Sequence, residues 1–177
     1  KARHAALQQC LPQPGAVETF QSTWVLISLL SALMLTGVLI TTPLIPLNRL
    51  LNCVELSPAE LPRIFVILSA YSVVTLQNTL ITAGFRCDGR YAVGAALSNA
   101  ARLFETLAAV AAAAAGAGPY AAAAVLLAAR MISTALSAAV MHSATPWLAF
   151  GVEHATLRCT RRLFRPALAF MAIPAAN

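Results

Sequence analysis

The pattern of apolar positions along the chain is one of long uninterrupted runs rather than short alternating ones. Thr19 to Asn48 contains no charged residue, and Trp24 to Leu47 is almost wholly apolar. About 20 apolar residues in a helix cross the hydrocarbon core of a bilayer, so this run predicts a first transmembrane helix at about 22–47. Trp24 sits near its start, where an aromatic suits the interface. Pro43 and Pro46 near its end should kink or finish it. Ile64 to Phe85 is a second uncharged run of spanning length, with Pro62 just ahead of it.

The next stretch admits two parses. Thr106 to Ala129 is uncharged and could form one helix; alternatively, helices at 91–115 and 120–142 are joined by Gly116-Ala117-Gly118-Pro119. Glycine ends helices and proline starts them, whereas Ala129-Arg130-Met131 holds no breaker. The split parse follows, and it places Arg102, Glu105 and Arg130 inside helices, near mid-depth. The expected fold is an all-α integral membrane protein, a multi-helix transmembrane bundle with four spans.

Basic residues set an orientation. Lys1 and Arg3 precede the first helix, Arg86 and Arg90 lie between the second and third, and Arg158, Arg161, Arg162 and Arg165 follow the fourth. These segments alternate with Asn48–Arg63, whose two arginines are balanced by Glu55 and Glu60, and with the uncharged Gly-Ala-Gly-Pro turn. The positive-inside rule then puts residues 1–18, the Arg86–Arg90 loop and a basic, amphipathic linker at 143–162 in the cytoplasm. Residues 163–177, with Pro166 and Pro174, read as the start of a fifth helix cut short. The absence of an initiating methionine and the apolar final residues read as cuts from a longer protein, and no signal peptide is visible.

Composition agrees with the pattern. Charged residues are 10% of the chain and hydrophobic ones 59%, with mean hydropathy +0.75; a soluble domain carries about a quarter charged residues. The net charge of +6 would favour nucleic acid in a soluble protein. Here the basic residues cluster between apolar runs, so the expected partner is the lipid bilayer and not nucleic acid. Cys10, Cys53, Cys87 and Cys159 stand singly, without metal-ligand spacing.

Charges inside a membrane carry the sharpest chemical signal, since an arginine at mid-helix costs about 2.5–3.5 kcal/mol on insertion scales and needs a partner or water. Arg102 and Glu105 are three apart and share a helical face, and Arg130 should lie at similar depth on the next helix. Two readings stand side by side. One is a structural ion-pair cluster pinning the third helix to the fourth. The other is a hydrated cavity receiving an anion, with two arginines against one glutamate leaving it net positive. On the second helix Tyr71, Thr75, Asn78 and Thr82 form a polar stripe, with Gln77 and Ser72 beside it. The stripe serves either interhelical hydrogen bonding or a pathway. The alanine-rich runs 111–115 and 121–124 are close-packing surfaces. No GxSxG, HExxH, Walker A or dinucleotide fingerprint occurs, so neither catalysis, a metal nor a cofactor is expected.

Five stretches resemble the polysaccharide and O-antigen flippases of the multidrug/oligosaccharidyl-lipid/polysaccharide exporter superfamily. They are Phe85-Arg86-Cys87-Asp88-Gly89-Arg90-Tyr91-Ala92, Ala101-Arg102-Leu103-Phe104-Glu105, Gly116-Ala117-Gly118-Pro119, Thr145-Pro146-Trp147-Leu148 on to Gly151, and Leu163-Phe164-Arg165-Pro166-Ala167-Leu168. The resemblance implies a fragment of a two-lobe (MATE-like) transporter of the bacterial cytoplasmic (inner) membrane. The four spans would then be helices three to six of the first lobe, with the rest of the chain supplying the second. It also implies alternating-access flipping of an anionic, lipid-linked glycan. On that map Arg102 and Arg130 are candidate substrate contacts, Asn78 and Gln77 secondary sugar contacts, and Glu105 a residue that orients Arg102 or couples protonation. Alternatives are a multidrug or peptidoglycan-precursor exporter of the same superfamily, a scaffold subunit, or part of a membrane glycosyltransferase or phosphotransferase.

Overall fold

The computed structural model describes residues 14–45, 60–145, 151–153, 156 and 159–160. Four helices account for nearly all of them: α1 (Pro14–Thr41), α2 (Glu60–Cys87), α3 (Tyr91–Ala114) and α4 (Pro119–Ala144). The expected segment at 163–177, most of the 1–18 and 143–162 segments, and the loop carrying Arg49 and Glu55 lie outside the described residues.

Local chemistry explains the boundaries. α1 begins at Pro14, earlier than the apolar run, because proline's fixed φ and missing N–H suit the first helical turn. Its polar first turns are stitched by hydroxyls, with Thr19 Oγ1 donating to the Gly15 carbonyl at 2.7 Å and Thr23 Oγ1 to that of Thr19 at 2.7 Å. The helix stops at Thr41, just before Pro43. α2 also begins ahead of the apolar run, with Glu60 in its first turn and Arg86 in its last; both charges complement the helix dipole.

The two tight turns are built alike. After α2, Gly89 takes φ 73°, with its N–H bonded to the Arg86 carbonyl (3.1 Å) and that of Arg90 to Phe85 (2.9 Å). After α3, Gly116 takes φ 74°; its N–H reaches Ala113 (3.0 Å) and that of Ala117 reaches Ala112 (3.0 Å). Both are Schellman stops, which favour glycine at the left-handed position. The second falls within Gly116–Pro119, so residues 106–129 form two helices rather than one.

Among the described residues three helices are long and apolar enough to cross a membrane: Val17–Thr41 of α1, Glu60–Cys87 and Pro119–Ala144. Three of the four expected spans meet that measure. α3 is long enough at 24 residues, but Ser98, Asn99, Arg102 and Glu105 leave it too polar to qualify by composition.

The chain divides into two compact units. The larger, Ile27–Ala144, holds α2, α3, α4 and the second half of α1. Within it α4 packs against both α2 and α3. At the α2–α3 turn, Gly94 meets Phe85 so closely that a Cβ there would lie 2.9 Å from Phe85 Cβ. In the smaller unit Thr156 bonds to the first turns of α1, its N–H to Ser22 Oγ (3.1 Å) and its hydroxyl to Glu18.

Burial within the larger unit runs opposite to a soluble protein. Asn78, Glu105, Arg130, Ser133 and Ser137 are buried, while Leu33, Met34, Leu103, Leu107, Ile132 and Leu136 are exposed. Water would penalise such a surface; hydrocarbon solvates it. These observations define a class: an all-helical, multi-pass membrane protein.

Candidate functional site

The site lies where α2, α3 and α4 meet. Tyr71 stands on α2, Glu105 on α3 and Arg130 on α4, each roughly mid-helix. Their side chains close a triangle. Arg130 Nη2 is 3.0 Å from Glu105 Oε2 and donates to Tyr71 Oη at 3.0 Å. Tyr71 in turn donates to Glu105 Oε2 at 2.9 Å. The guanidinium also lies over the Tyr71 ring, 5.1 Å from its centroid, a cation–π geometry. Ser133, one turn after Arg130, places its hydroxyl 3.0 Å from the Arg130 carbonyl and 3.4 Å from Glu105 Oε1; its single proton serves one acceptor at a time. The Arg130 and Glu105 side chains are only 8% and 6% exposed. A charge so buried is tolerated because its opposite is in contact with it.

Beside this triangle lies a cavity of about 260 Å³, lined by Thr75, Asn78, Thr79, Thr82 and Arg86 of α2, Ser98 and Arg102 of α3, and Arg130 of α4, with Ala83. Three arginines and no carboxylate form its wall. The threonines are largely spent on their own helix, Thr75 Oγ1 on the Tyr71 carbonyl (2.8 Å) and Thr82 Oγ1 on that of Asn78 (3.0 Å). Asn78 Oδ1 and Arg130 Nε are buried without a hydrogen-bond partner among the described residues. Buried polar atoms left in that state are uncommon and call for water or a ligand. Arg102 is exposed, and among the described residues its guanidinium has neither ion pair nor hydrogen bond. Arg86, at the end of α2, lies 5.4 Å from the centroid of the Tyr91 ring.

The five residues marked by the sequence therefore separate. Arg102, Arg130 and Asn78 share the cavity. Glu105 faces Arg130 rather than Arg102, the partner that spacing along one helix offered. Gln77 points to α1 instead, its Nε2 donating to Ser28 Oγ at 3.3 Å. Arg86 joins the cavity as well, beyond the orienting role its loop position suggests. It falls four residues after Thr82, so the stripe Thr75–Asn78–Thr82 continues directly into it. Tyr71 belongs to the same stripe, but its role needed α3 and α4 in place. Among the described residues no group of three His, Cys, Asp or Glu side chains gathers that could hold a metal.

No family model, curated protein or solved structure matches the chain. The fold and site thus define the class alone, a helical membrane protein with a basic pocket among α2, α3 and α4.

Proposed function

We propose that this chain is part of a transporter, not an enzyme, that flips or exports a lipid-linked oligosaccharide or polysaccharide precursor across the bacterial cytoplasmic membrane by alternating access. The observation that carries this reading is the cavity wall, with Arg86, Arg102 and Arg130 and no carboxylate. Basic groups sited within membrane-length helices mark anion pathways. Arg102 is the strongest contact for the substrate anion, because it is in the wall and, among the described residues, its guanidinium has no partner. Asn78 offers its amide to the same ligand. A drug-cation exporter would need an acidic lining, so the basic wall disfavours it. The remainder of the chain supplies a second lobe, and α3 serves as a fourth span with its charge compensated by α4. The N-terminus and the Arg86–Arg90 loop face the cytoplasm, so the cavity takes its ligand from that side.

The test is Arg102→Ala in the full-length protein, with surface glycan followed by gel and antibody. Glycan display should be lost at normal membrane levels of the protein, while Gln77→Leu, directed at Ser28, should leave display intact. Normal display in the Arg102 variant would end the reading. One observation favours a structural role for part of the cluster: Glu105 and Tyr71 are engaged with Arg130, and in this structure they tie three helices together.

A further inference from the structure

Arg130 belongs to both halves of the site at once. Its Nη2 is committed to Glu105 and Tyr71, while its Nε, in the same guanidinium, is buried without a partner among the described residues and the residue lines the cavity. A guanidinium binds an oxyanion most firmly through two parallel N–H groups. The fork that includes Nε has Nη2 as its other prong. Nη2 carries two protons, and in this structure Glu105 Oε2 and Tyr71 Oη take both.

The reading of the cavity as an anion site leads one step further. We infer that Arg130 is a shared group: a phosphate-class anion entering beside Arg102 and Arg86 takes the Nε–Nη2 fork, and it does so in competition with Glu105 and Tyr71. Loading the cavity then loosens the tie that holds α4 to α2 and α3. The cavity's size supports a small, highly charged occupant. At about 260 Å³ it has room for a phosphate or diphosphate group beside its three arginines. No bond other than hydrogen bonds changes, and no proton needs to move.

Competition has a sign that a structural role lacks. Tyr71→Phe frees one Nη2 proton without altering charge, and Glu105→Gln removes the rival carboxylate; both should tighten anion binding. The experiment is calorimetric titration of inorganic pyrophosphate into the full-length protein in phosphatidylcholine nanodiscs. Tyr71→Phe should lower Kd by about tenfold, within the range of ordinary site-to-site couplings, with Glu105→Gln shifting it the same way and Arg102→Ala the opposite way. Repeating the titration in phosphatidylglycerol separates the sources. If a lipid headgroup is the occupant, Tyr71→Phe instead strengthens the exclusion of pyrophosphate by that lipid, which also supports sharing. Unchanged or weaker binding by folded Tyr71→Phe protein in both lipids overturns the inference. It would leave the transport reading standing, since that reading falls only with Arg102.

Discussion

Removing one member of the buried ion pair should cost far more than removing both. Consider Glu105→Leu, Arg130→Met and the double variant in the full-length protein. At 3.0 Å, two unit charges in an environment of effective dielectric about 20 attract by about 5.5 kcal/mol. Tyr71 and Ser133 remain to solvate whichever charge survives, which trims the loss. Each single variant should therefore lose about 3–5 kcal/mol, the usual cost of stranding one buried charge. The double variant strands nothing. Apolar residues of similar volume replace the pair, and its stability should lie within about 1 kcal/mol of the starting protein or above it. Denaturant titration in mixed micelles, followed by intrinsic fluorescence, gives the three values needed for a double-mutant cycle. A coupling energy of about 3 kcal/mol or more is expected. Additive losses, with the double variant the least stable of the three, would refute the account of the triangle as a mutually dependent pair.

Two further outcomes follow from the turn between α2 and α3. Gly94→Ala places a methyl 2.9 Å from Phe85 Cβ, a backbone-proximal atom that cannot swing away, so thermal melting should show a loss of about 1–3 kcal/mol from overpacking; in a Phe85→Gly background, which removes that Cβ, Gly94→Ala should add no overpacking loss. Cys87 is exposed at the end of α2, and with that turn in the cytoplasm a membrane-impermeant maleimide should label it only after cells are opened. Labelling of Cys87 in intact cells would reverse the proposed orientation.

Much of the fold was legible in the sequence because its signals are local. Uncharged runs mark helices, and the Gly116–Pro119 turn is written in residues whose backbone preferences act within four positions. The polar stripe on α2 was legible for the same reason, since helical periodicity alone puts Thr75, Asn78 and Thr82 on one side. Partner choice was not local. Glu105 had Arg102 three residues away and Arg130 on another helix, and only the packing of α3 against α4 decides between them. Gln77 and Asn78 are neighbours in sequence, yet they face α1 and the cavity respectively. A difference of about 100° around the helix separates a side chain that ties helices together from one that lines the cavity.

The pairing of Glu105 with Arg130 also bears on how the protein is made. Synthesis runs from the N-terminus, so α3 emerges carrying Glu105 before its cation exists. Alone, α3 is the helix that composition leaves short of a span, and each central charge raises its insertion cost by about 2.5–3.5 kcal/mol. Its compensation arrives with α4, across a turn so short that the two helices are tethered as a hairpin. On the proposal that α3 is a fourth span, it is a marginal passenger of the translocon until α4 follows, and the two enter the bilayer together with their charges already joined.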